Sequence, residues 1–136
     1  IIKFMCFQNK ETEGFKMREI LFRGKRVDNG EWIYGDLLTP TDIMNVWEIS
    51  ENTGMGDRYD IDPETVGQYT GLTDKNGKKI FEGDIIKDRF DDIGQIEYKP
   101  KSSAFIVKDW ETGYVLWFEK DIEVIGNIHD NPELLK

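Results

Sequence analysis

Ile80-Phe81-Glu82-Gly83-Asp84-Ile85-Ile86-Lys87 is the stretch on which the fold turns: two apolar runs of strand length, split by a glycine. Runs of the same size recur after it, so that 80–82, 84–89, 94–99, 104–109, 114–118 and 122–126 all read as short strands. Spacing of roughly ten residues, with Gly or Asp at the breaks, suits a small β-barrel or sandwich. Upstream, Thr73 to Lys79 contains Asn76-Gly77 and reads as a hairpin-type turn, and 67–72 reads as extended. Gly67, Gly71, Gly77 and Gly83 mark positions where a side chain would strain a turn. Asp62-Pro63-Glu64-Thr65 has the form of a one-turn helix start, with Asp62 as cap and Pro63 at the first helical position. Residues 50–60 read as a loop or a domain joint, and Met44 to Ile49 as a strand.

The first half carries its own clear signal. Residues 20–27 and 31–38 are strand-like and flank Asp28-Asn29-Gly30, whose Asn-Gly pair readily takes the positive φ angles of a tight hairpin. At the other end, Asn131 and Pro132 are placed to start a final helical turn.

Composition limits the classes of function. The chain has 136 residues, 38% hydrophobic and 12% aromatic, enough for one domain or a domain with a small appendage. Its net charge of −9 argues against a surface that grips nucleic acid or anionic lipid throughout. The single cysteine, Cys6, excludes a disulfide framework and a cysteine-based zinc site. No apolar run reaches membrane-spanning length, and no signal peptide is evident. The reading is a soluble, acidic, intracellular protein.

The first sixteen residues differ from the rest. They hold Lys3, Lys10 and Lys16 against Glu11 and Glu13, so the acidity lies beyond them. Thr12 to Met17 can be back-translated with a GGAGG core shortly before ATG, the form of a bacterial ribosome-binding site. Met17 therefore reads as a natural start and 1–16 as translated leader, against the competing reading of a genuine N-terminal arm.

No catalytic, cofactor or metal site emerges. Asp74-Lys75-Asn76-Gly77 begins like a calcium loop, but its glycine comes too early and the remaining ligands are missing. His129 has no recognisable catalytic partner, and no nucleophile elbow, phosphate-binding loop or zinc-protease pattern is present. Lys78, Lys79, Lys87 and Lys99, with Tyr98, Phe105 and Trp110 nearby, form the candidate nucleic-acid contact. Glu97, Asp109 and Glu111 fall among them and would repel phosphate. Trp32, Trp47, Trp110 and Trp117 read mainly as packing residues, with any exposed one an anchor for a partner.

Ile61 to Lys87, and the close from Ile122 to Leu135, resemble the YopX family of phage and prophage proteins. Arg18 to Leu38, with Phe22-Arg23 and Trp32-Ile33-Tyr34-Gly35-Asp36, is similar too. The likeness covers nearly all of 17–136 and leaves 1–16 outside. It implies a mainly β fold containing a small SH3-type barrel, with an N-terminal β-hairpin region and little helix. The expected layout is an N-terminal β region over 17–60 and the barrel over 61–136. The resemblance supplies no catalytic or cofactor residues. The expected function is a phage-encoded accessory protein in the cytoplasm of a bacterial host, a non-enzymatic interaction module that meets a host or phage protein or its own copies. The alternative is a nucleic-acid-binding barrel using the four lysines.

Overall fold

The computed structural model describes residues 17–51, 56–109, 113–116 and 121–135, with side chains omitted over 109–120. Among the described residues, ten strands and one short 3-10 turn make up the regular structure, so the fold is mainly β. The hairpin around Asp28-Asn29-Gly30 forms, but of the Asn-Gly pair only the glycine, and not Asn29, takes a positive φ. Strands β1 (Phe22–Arg26) and β2 (Trp32–Leu38) pair antiparallel, and Gly30 adopts φ 76° in the turn between them.

β3 (Glu48–Ser50) is shorter and later than the expected strand over 44–49. Thr41 explains the difference. Its backbone N–H donates to the Met44 carbonyl at 2.8 Å, and its hydroxyl accepts from the Met44 N–H at 3.0 Å. Residues 41–44 are thus closed into a turn before the strand can begin. The loop expected over 50–60 is narrower at both ends, since Ser50 pairs with Arg58 in an antiparallel return to the same sheet.

β4 (Arg58–Thr73) runs straight through the expected helix start at Asp62-Pro63. Asp62 does accept from the Glu64 N–H at 3.0 Å, the bond a helix cap would make. It serves a bulge instead, for the register with β1 slips between Arg23↔Gly67 and Lys25↔Asp62. Thr65 fills the break, its hydroxyl donating to the Asp62 carbonyl and accepting from the Lys25 N–H at 2.8 Å. A bulge frees Pro63 from the ladder bond it cannot make.

The first sheet pairs in the order β1-β2-β3-β4, returns from β4 to β1, and adds β5 (Lys79–Phe81) on β4. The second comprises β6 (Asp84–Lys87), β7 (Ile93–Lys99), β8 (Ala104–Asp109), β9 (Gly113–Leu116) and β10 (Glu123–Asn127). Its order is β10-β6-β7-β8-β9, antiparallel throughout. The pairing circuit that returns on itself lies in residues 22–73. The expected division at 60/61 falls within β4.

β5 is the seam. Ile80 joins Ile86, Ile96, Ile122 and Val124 in the core of the second sheet. Phe81, one residue on, packs its ring against Tyr34 and Tyr69 of the first. Alternation along a strand sends neighbours to opposite faces, so one short strand serves both layers. Ile49 and Ile61, both buried, close on Gly24 inside the first sheet. Gly77 and Gly83 have positive φ in their turns, and Gly71 has it within β4, where the register with β5 shifts between Tyr69 and Thr73. Gly67, also in β4, does not: an added Cβ there would stand 2.5 Å from the Glu82 carbonyl oxygen. Among the described residues, the 3-10 turn Pro132–Leu135 follows Asn131. The Asn131 side chain turns away from it to accept from the Asn127 N–H at 3.2 Å.

Candidate functional site

The two sheets meet along polar side chains that the strand pattern hides. Arg23 of β1 is only 5% exposed and Asp84 of β6 only 1%. The guanidinium Nη2 lies 2.7 Å from Asp84 Oδ1, while Asp84 Oδ2 accepts from the Phe81 N–H at 2.8 Å. Trp32 and Phe81 flank the same guanidinium, with its carbon 4.6 Å and 4.9 Å from their ring centres. Arg23 thereby gains cation–π contact in a site with little water. Its Nε is buried and has no hydrogen-bond partner among the described residues. Burial pushes the Asp84 carboxyl above its ordinary value, against the pull of Arg23.

Asp74 makes the second tie. Its Oδ1 accepts from the N–H groups of Asn76 and Lys78 at 2.8 and 2.9 Å, which shapes the turn before β5. Its Oδ2 reaches across to the Val124 N–H of β10 at 3.0 Å. Burial pushes this carboxyl up, but the three donated bonds outweigh it and leave its pKa below the usual value. The acid that opens the failed calcium loop is thus a backbone ligand.

Asp130, in the turn after β10, makes the third. Its carboxylate accepts from the Lys25 ammonium, from Trp32 Nε1 at 2.8 Å and from Asn127 Nδ2 at 3.1 Å. The Lys25 bond first, then that from Trp32, holds its carboxyl well below the usual carboxylate range. His129 packs its ring 5.9 Å from that of Trp32, and burial together with Arg23 and Lys25 lowers its pKa.

Between these ties lies a cleft of about 370 Å³, lined among others by Arg23, Trp32, Tyr34, Lys78, Asp84 and Asp130. It sits where the β1–β2 hairpin faces the turn after β10. Sequence reasoning singled out Lys78 but not Arg23, Asp84 or Asp130 as site residues. A charged residue within an Arg-Gly-Lys-Arg run carries no sign that it points inward, so the signal for Arg23 appears only with the sheet pairing.

The four candidate lysines are dispersed. Lys78 stands at the cleft, in the turn before β5. Lys79 of β5 pairs with Glu19 at 3.0 Å and lies 4.8 Å from the Tyr69 ring centre. Lys87, at the end of β6, lies 3.6 Å from Asp91. Lys87 is opposite Ile93, and Lys99 is at the far end of β7, so about 20 Å of strand separates their backbones. Lys78 and Lys79 adjoin in sequence; Lys87 and Lys99 do not join each other. Trp110 and Trp117 lie outside the residues whose side chains are described.

A second surface feature is apolar. Ile43 is 91% exposed, and Met44 and Val46 beside it are also exposed, in the connection from β2 to β3. Among the described residues no helix is long and apolar enough to cross a membrane.

These features define a mainly β protein of two antiparallel sheets joined by polar ties, those of Asp84 and Asp74 buried and that of Asp130 at the surface. The chain belongs to the YopX family, whose sequence model, described as YopX protein, matches residues 21–136. Among solved structures it is similar to the crystal structure of protein EF1440 from Enterococcus faecalis, at 24% identity and a TM-score of 0.54. That likeness covers 88% of this chain and 100% of the other, and it extends to the fold. The comparison with curated proteins finds no match.

Proposed function

We propose that this YopX-family chain is a protein-interaction module encoded by a phage or prophage, acting without catalysis in the cytoplasm of its bacterial host. The observation that carries the reading is the Ile43-Met44-Val46 surface. Three apolar side chains are exposed, two of them, Ile43 and Met44, on a turn that the Thr41 hydroxyl closes. An apolar projection already folded into a turn is a fitting anchor for a partner, since less ordering remains to be done on binding. The partner is a host or phage protein, or another copy of this chain. The first sheet is read as the small SH3-type barrel, supported by the return of its pairing from β4 to β1.

The test compares the full chain with Ile43→Asp by light scattering and by capture from bacterial lysate with and without phage proteins. Mass above the monomer, or captured protein, that is lost in Ile43→Asp is the expected result. A monomeric chain whose captured proteins are unchanged by Ile43→Asp would overturn the reading.

A further inference from the structure

We propose that the cleft between the two sheets is a binding site for a carboxylate carried on a small aromatic or apolar body. The argument rests on which hydrogen-bonding groups remain unused there. Asp84 has one oxygen taken by Arg23 and the other by the Phe81 N–H. Asp130 is occupied by Lys25, Trp32 and Asn127. Asn127 Oδ1 accepts from the N–H groups of His129 and Asp130. The side-chain acceptors are therefore committed within the protein.

The donors are not. Arg23 Nε is buried and unpartnered although its neighbour Nη2 is fully engaged. A buried donor left without a partner costs free energy that a bound acceptor would recover. Among the described residues, no ion pair or hydrogen bond holds the Lys78 ammonium, although Asp74 and Asp84 feel its charge. Likewise the Tyr34 hydroxyl has no hydrogen-bond partner there; its ring packs edge-on to Phe81. The unpartnered side-chain groups of the cleft named here thus offer N–H and O–H donors, the complement of an oxygen acceptor.

Charge and shape narrow the class. Arg23 and Lys25 are each matched by an acid of the cleft, which leaves Lys78 as the rim cation and favours a single negative charge. The indole of Trp32 and the ring of Tyr34 line the same space, with Val124 beyond them. A volume of about 370 Å³ is at the small end of ligand pockets, room for a ring-sized body. A free aromatic acid and the terminal carboxylate of a peptide chain share this chemistry.

The ¹⁵N-labelled full chain would be titrated with sodium benzoate, with benzamide, and with a short peptide ending in Phe, its terminus either free or amidated. Saturable shifts of the Trp32 indole N–H and the Arg23 Nε–H are expected with benzoate and not with benzamide. Lys78→Gln, an exposed change, should weaken benzoate about tenfold, as loss of a charge-assisted bond does. Tyr34→Phe should weaken it less, with the rest of the spectrum showing that both variants fold. Competition by the free-ended peptide but not the amidated one assigns the ligand to a chain terminus; binding of benzoate alone assigns it to a small acid. No saturable shift at either signal, equal response to benzamide, or shifts that Lys78→Gln leaves unchanged would each overturn the proposal.

Discussion

Arg23 and Asp84 stand 2.7 Å apart, nearly sealed from solvent, one on the first strand of the first sheet and the other on the first strand of the second. The mutual attraction of the pair offsets the desolvation of both charges, so its net contribution is small while both members remain. Removal of one member is a different matter. Asp84→Ala would leave the guanidinium buried without a counter-ion and the Phe81 N–H without an acceptor. A loss of ~3–5 kcal/mol is expected, read from urea unfolding. The double change Arg23→Met with Asp84→Leu should recover much of that loss, because no charge is left behind. If the double variant is as unstable as the sum of the single ones, the two residues are not coupled.

Acid should weaken the ties made by Asp74 and Asp130. Both carboxyls titrate below their ordinary value in the folded protein. The folded state therefore binds fewer protons than the unfolded chain near an unfolded pKa of ~3.9, and stability falls as pH falls. Their contribution is complete above that value and drains away as pH drops toward the depressed folded pKa. Asp84 and Glu82, both raised by burial, act in the opposite sense and favour the folded state as they take up protons above their ordinary values. The urea midpoint of the parent should fall more steeply between pH 5 and 2.5 than that of Asp130→Asn. Parallel slopes would show that the Asp130 charge does not contribute.

Two glycines of the same sequence class should respond differently to alanine. Gly30 has φ 76° with nothing within 4 Å of an added Cβ, so Gly30→Ala costs only the left-handed backbone, ~1–2 kcal/mol. Gly67 has an ordinary backbone, but its Cβ would stand 2.5 Å from the Glu82 carbonyl oxygen across the seam between β4 and β5. Gly67→Ala must displace main chain, and a cost of ~1–3 kcal/mol or more is expected. The distinguishing sign is in the spectrum: shifts at Gln68 and Glu82 for Gly67→Ala, and shifts confined to the hairpin tip for Gly30→Ala. Identical, local changes in both would refute the steric account.

The contrast between these glycines shows what the sequence makes legible. Asn29-Gly30 specifies its turn through local dihedral preference, and the short β runs after Ile80 declare themselves through alternation and spacing. Asp62-Pro63 misleads because the side-chain bond from Glu64 to Asp62 is common to helix caps and to bulges; only the long-range pairing with β1 decides between them. Thr41 closes its turn by a bond that a strand-like Met44-Asn45-Val46 run conceals. The cleft is less legible still. Arg23, Asp84 and Asp130 become neighbours only when the sheets meet, and a window of local sequence carries no trace of that meeting.

Nucleic-acid binding through Lys78, Lys79, Lys87 and Lys99 makes an opposing demand on the same surface. Affinity for phosphate depends on how many cations one strand can reach at once, and each released counterion steepens the salt dependence. Lys79 and Lys87 already lie against Glu19 and Asp91, and Lys99 stands about 20 Å along β7 from the position facing Lys87. A strand of DNA that tracked all four would also pass Glu97, which is on β7 between them. With a net charge of −9, the full chain should therefore flow through heparin at 50 mM salt and leave the anisotropy of labelled single-stranded DNA unchanged. Retention that collapses as salt rises, and that is lost when the four lysines are changed to glutamine, would reverse this conclusion and assign the lysine-bearing surface to a phosphate backbone.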